Sequence, residues 1–173
     1  MRDDVNYVAD QIQFWNNWCP VKVNFLSWRL YCNRLPTKAA LSRRNIHLPS
    51  TTCVLFGDYE ETTDHLFASC RLVQQVWDEI SRWCRNPTPF LFSAKDVLEL
   101  HLHCRGLAKW KRALYSVVQT CIWCIWQARN EATFDYKRMS VERVVEEVKV
   151  LGYLWLKHRY EGKHAYMESL ANV

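Results

Sequence analysis

The amino-acid sequence predicts a mainly α protein, a bundle of about five to six helices that carries one small irregular loop. Three observations predict it. Hydrophobic residues make up 49% of the 173 positions and aromatics 14%, with nine Trp, which opposes disorder. Gly and Pro number only four and five, too few for turn-rich sheets. Apolar residues recur at steps of three and four over long stretches, the period of a helix with one buried face.

Residues 1–13 are polar and weakly patterned, so the fold is expected to begin near Phe14. In F-W-N-N-W-C-P, Trp15 and Trp18 stand one helical turn apart, and Pro20 suits the start of the next helix. That helix, of about fourteen residues, is marked by Val23, Leu26 and Leu30, with Phe25, Trp28 and Tyr31 widening its apolar face. Pro36 ends it, Thr37 is placed to cap the next, and K-A-A-L-S-R-R-N-I forms a short second helix with Arg43 and Arg44 toward water.

A third helix, capped by Asp64 or Thr63, carries the stripe Val73, Val76, Trp77, Ile80, Trp83 and Cys84. His65 and Cys70 fall at or beside its first turn. N-P-T-P-F-L-F reads as a linker, and Ser93 with Asp96 forms a capping arrangement for A-K-D-V-L-E-L-H-L-H. His101 and His103, two apart, splay to different faces and make a poor metal pair. From Leu107 to about Phe134 no Pro or Gly interrupts the longest helix, which carries Trp110, Leu114, Val117, Val118, Ile122, Ile125 and Trp126. Its C-I-W-C puts Cys121 and Cys124 on one face, a pattern open to redox chemistry, metal or packing; so apolar a run favours packing. The last helix opens at Ser140, buries Val144, Val148, Leu151 and Trp155, and is expected to lie antiparallel to the long one, losing its pattern after Tyr160.

The formal net charge of +5 suits a polyanionic partner, but the basic residues are scattered, in Arg43-Arg44, Lys109 to Arg112, Lys137-Arg138 and Lys157 to Arg159. Arg43, Arg44, Lys109, Lys111 and Arg112 are candidate contacts to RNA or DNA phosphate; a solvated mixed-charge surface would read the same way. The N-terminus lacks the apolar core of a signal peptide, and no run approaches the roughly 18 apolar residues of a membrane span. The expectation is a soluble, intracellular protein without membrane contact, its eight cysteines reduced.

Cys53, His65 and Cys70 are the residues best suited to a metal, with four residues between the last two. A compact zinc site would want a second cysteine one tight turn after Cys53; that position is Phe56, followed by Gly57. Two outcomes stay open. The three residues hold zinc with water in the fourth position, or with Asp58, Asp64 or Cys84 borrowed; otherwise Phe56 packs as a hydrophobic substitute and the helices hold without metal.

Taken together, W-x-x-W-x-P-x-K-V-x-F-x-x-W from Trp15, R-L-P-T-K-x-x-L-x-x-R-x-I from Arg34, C-x-x-F-G from Cys53 and E-T-x-D-H-L-F-x-x-C from Glu61 resemble one family. It is the zinc-binding domain at the C-terminal end of plant LINE-type (non-LTR) retrotransposon reverse transcriptases. I-W-x-x-R-N-x-x-x-F from Ile125 looks like the tail that follows this domain, so the resemblance spans roughly residues 14–160. It implies a zinc-finger-like loop joined to the helical bundle, organised as a module over 14–86 with a helical extension over 93–160 packed on it. Cys53, His65 and Cys70 match three ligand positions of the family, and Phe56 stands at the fourth. The implied role is non-catalytic, holding template RNA or target DNA near a polymerase and nuclease located upstream in a polyprotein. In keeping with that, no Tyr-x-Asp-Asp signature is present to hold catalytic magnesium, and Asp3-Asp4 lies in a polar terminus.

Overall fold

Among the residues that the computed structural model describes, 15–171 for the backbone and 15–158 for side chains, the fold is mainly helical. Phe14 and the Asp3-Asp4 pair lie outside the described residues. The elements are α1 (Val21–Tyr31), α2 (Lys38–Ser42), a π-helical turn (His65–Ser69), α3 (Arg71–Trp83), α4 (Ala94–His103), α5 (Ala108–Phe134) and α6 (Val141–Ala171). Among the described residues, extended pairing is confined to a single antiparallel bridge between Thr52 and Glu60.

Local chemistry accounts for most helix ends. Thr37 Oγ1 accepts from Ala40 N at 3.3 Å and starts α2. Ser93 and Asp96 form a reciprocal capping box on α4, and Ser140 Oγ accepts from Arg143 N at the start of α6. Asn33, Asn45, Arg85 and Tyr136 take positive φ just beyond the ends of α1, α2, α3 and α5, where a left-handed residue lets the chain leave the helix.

The spine is α5, against which α6, α4 and α1 pack, while α3 packs on α6 and on the π-helical turn. One continuous core runs from Leu26 and Leu30 through Phe67, Val73, Val76 and Trp77 to Ile122, Ile125, Val144 and Val148. Cys121 and Cys124 are buried within it, and burial pushes both thiols up, Cys124 to about 12. They pack as small hydrophobes.

Four expectations are corrected. Trp15 and Trp18 are not on a helix: Asn16 is buried, its carbonyl accepting from Cys19 N and its side chain from Trp18 N, so the segment is a turn. The helix expected to run on from Asp64 is interrupted at Cys70, whose ψ of 126° is extended. Asp64 does not cap it; its carboxylate accepts from Ala94 N at 2.8 Å and joins the start of α4 instead. The α3 stripe ends at Ile80, since Trp83 is 44% exposed and Cys84 half-buried. The final helix continues past Tyr160 to Ala171: residues 160–171 contain no proline and one glycine, Gly162, with good helix formers such as Glu161, Lys163 and Ala165 among them.

Candidate metal centre

The loop from Thr51 to Glu61 folds back on itself because its backbone bonds in register: Cys53 N donates to Tyr59 O at 2.7 Å and Glu61 N to Thr51 O at 2.8 Å. Its tip is closed by Gly57 N donating to Cys53 O at 2.8 Å. Gly57 has φ +85°, a conformation that a side chain would strain. The loop thereby turns Cys53 inward, where it is buried.

The other two candidates come from the interruption before α3. His65 N is capped by Thr62 Oγ1 at 3.0 Å, and Cys70 N reaches back to His65 O at 2.7 Å, closing the π-helical turn. That wider turn, followed by the extended Cys70, points His65 and Cys70 to the side on which Cys53 lies. All three residues are buried, and their ligand atoms lie within 4.8 Å of one another. No other such group of three or more His, Cys, Asp or Glu occurs among the described residues.

The two sulfurs are 4.0 Å apart and share a hydrogen bond. That bond holds the Cys53 thiol far below its ordinary 9.0, opposed by burial and helped by the backbone N–H groups of Phe56 and Leu55. The same bond, together with burial, drives Cys70 upward, although the N–H groups of Val73 and Leu72 face it. The pair therefore gives up its first proton readily and keeps its second. His65 Nε2 is buried with no hydrogen-bond partner. A buried imidazole nitrogen left without a partner, next to two sulfurs cradled by backbone amides, fits three of the four positions that zinc fills.

Phe56 is half-buried against the core, with the Arg71 guanidinium 5.5 Å from its ring centroid. None of the three borrowed ligands reaches the cluster, which corrects that expectation. Asp64 is committed to α4, Asp58 is exposed on the loop, and Cys84 lies past the end of α3, its thiol raised to about 11 by burial and by Cys104.

Glu61, at the foot of the loop, is fully buried and accepts from Arg129 of α5 through Nη2 at 2.6 Å and Nε at 3.0 Å. The same carboxylate accepts from Lys38 N at the start of α2 and from Val54 N beside Cys53. Arg129 lies 5.0 Å from the Trp126 ring centroid, and Trp126 stacks on Phe67. One ion pair thus fixes the loop, α2 and α5 together. Glu61 and Arg129 stand inside the patterns E-T-x-D-H-L-F and I-W-x-x-R-N, but nothing in either pattern says that one residue answers the other.

The basic candidates fall in two places. Arg43 and Arg44 are exposed beyond α2, with Arg43 Nε also donating to Ala39 O at 3.4 Å. Lys109, Lys111 and Arg112 lie in the first turns of α5: Lys111 Nζ donates to Leu102 O at 3.1 Å, and Arg112 covers the Trp18 ring and bonds the Asn17 side chain. His101 packs at a tilt against Tyr115 with its Nδ1 at Leu98 O, and burial lowers its pKa, while His103 is exposed. No helix among the described residues is long and apolar enough to cross a membrane.

Residues 1–77 match the family described as zinc-binding in reverse transcriptase. The matched segment contains Cys53, His65 and Cys70 and ends at Trp77, within α3. No match was found among curated proteins or among solved structures.

Proposed function

We propose that the chain is a non-catalytic, nucleic-acid-binding accessory fragment, akin to the zinc-binding C-terminal region of a plant LINE-type retrotransposon reverse transcriptase. In this reading a module over 14–86 carries the metal centre, and a helical extension over 93–160 is packed on it. Cys53, His65 and Cys70 hold a zinc ion, with Phe56 in place of the fourth ligand. The observation that carries the reading is the meeting of these three buried side chains within 4.8 Å, with His65 Nε2 unpartnered. Zinc bound there would supply structure, cross-linking the Cys53 loop to the π-helical turn and to the start of α3. Arg43, Arg44, Lys109, Lys111 and Arg112 are the proposed phosphate contacts, alongside a net charge of +5.

Phe56 favours a second reading, a decayed element whose helices persist without zinc or nucleic-acid binding. Metal content measured by mass spectrometry on protein purified without chelator separates the two. The first reading expects zinc in the wild type, its loss in His65→Ala, and tighter retention in Phe56→Cys. Zinc that appears only in Phe56→Cys would establish the decayed site. Nucleic-acid binding is tested separately by titrating RNA and duplex DNA, and lack of binding to either at low salt would sink it.

A further inference from the structure

An open groove of about 1110 Å³ lies between the end of α3, the strap 85–92, α4 and the start of α5. Its construction follows from the strap's sequence. Pro87 and Pro89 keep the chain extended, and in an extended chain side chains alternate. Leu91 packs against the core, so Phe90 and Phe92 face the other way and are 88% and 79% exposed. Phe92 N and Ser93 N both donate to Asp96 Oδ2, at 3.0 and 2.9 Å, anchoring the strap to α4. Across the groove Trp110, 43% exposed, stands over Gly106, whose φ is +139° and where an added Cβ would come within 2.7 Å of the indole. Gly106 allows the close approach that sets the ring at the groove wall.

Exposed Arg85 and Arg105 stand at the groove, and Lys111, tied to Leu102 O, adds a positive charge at the same end of α4. The acidic side chain in the lining, Asp96, is occupied by the strap amides. Three exposed aromatic rings within a rim of guanidinium groups form an unusual surface for water, but a suitable one for unpaired bases on a charged backbone. A duplex hides its base faces in its own stack and could use only the charges.

We propose that this groove binds single-stranded nucleic acid, with Phe90, Phe92 and Trp110 stacking on bases and Arg85 and Arg105 contacting phosphates. The proposal rests on the nucleic-acid-binding reading above and gives it a strand preference and a location remote from the metal ligands in sequence. It is tested by fluorescence anisotropy with labelled oligo(U) and oligo(dT) of about 12 nucleotides, within the usual site size, and a duplex of equal length. Wild type is expected to favour the single strands, with affinity falling linearly in log salt. Phe90→Ala/Phe92→Ala, altering only exposed rings, is expected to weaken single-strand binding about 30-fold or more, from two stacking contacts, and to leave duplex binding unchanged. Arg85→Gln/Arg105→Gln is expected to lower the salt slope by about 1 to 2. Phe90→Trp should retain affinity where Phe90→Leu, equally apolar, loses it.

Single-strand binding unaffected by Phe90→Ala/Phe92→Ala overturns the groove assignment and leaves the broader reading standing. Failure of the wild type to bind any of the three probes at low salt overturns both. Preferential binding of an apolar amphipathic peptide, with no response to the oligonucleotides, assigns the groove to a protein partner and also overturns the proposal.

Discussion

The Glu61 carboxylate and the Arg129 guanidinium leave water together, and each keeps the other's burial tolerable. Glu61→Gln strands the arginine charge in the core and is expected to lower stability by about 3–5 kcal/mol in urea denaturation. Glu61→Leu/Arg129→Met, which removes both charges but leaves the Lys38 and Val54 amides without their acceptor, should recover part of that loss. Asp96 is a milder case. The Phe92 N–H, followed by the Ser93 contacts, holds its carboxyl below the ordinary 3.8. A lowered folded-state pKa contributes stability that is complete above about 3.8 and lost as pH falls through the lowered value. Acid unfolding of Asp96→Asn should therefore depend less on pH below about 4 than that of the wild type. At this scale the caps Thr37, Ser93 and Ser140 were legible in the sequence, because a cap and its amide are three residues apart. Glu61 and Arg129 are separated by 68 positions, and a charge in a polar run carries no sign of its partner.

Among the elements, the break between the π-helical turn and α3 matters most. Apolar periodicity reports which face of a segment is buried, so the α3 stripe from Val73 to Ile80 could be read directly. It does not report a change of hydrogen-bonding step, and the wide turn that brings His65 and Cys70 toward Cys53 was therefore not visible. The same limit applies before α1. Asn16 and Asn24 exchange hydrogen bonds, Asn16 Nδ2 donates to Ser116 Oγ, and Gln119 Nε2 donates to Asn24 Oδ1, all of them buried. Amides in a Trp-rich stretch look like helix surface until the helix that satisfies them is in place. Asn24→Ala unpairs groups on the turn and on α5 and should cost about 1–3 kcal/mol for each one stranded, measured by thermal and chemical denaturation. By contrast, Ser42, exposed at the end of α2, should tolerate alanine with a change within about 0.5 kcal/mol.

For the molecule as a whole, the mainly α class and the helix order were legible because composition and periodicity act over the entire chain. The three metal candidates were legible by residue type and spacing, and their convergence required the fold. The core is shared: Leu66, Phe67 and Trp77 from the matched segment meet Val118, Ile122 and Ile125 of α5 in one cluster. A fragment ending at residue 86 would expose that surface and leave Glu61 unpaired. It is expected to lack the cooperative urea transition of the full chain, as followed by circular dichroism. The ion pair also has a consequence in time. Glu61 meets a partner 68 positions later, so the tie of the Cys53 loop to the spine of the bundle forms only after the long helix has docked. On the proposed zinc-binding reading, the candidate centre should be among the last parts to set during refolding, and in stopped-flow experiments a zinc-sensitive dye should report uptake no faster than the tryptophan signal of core formation.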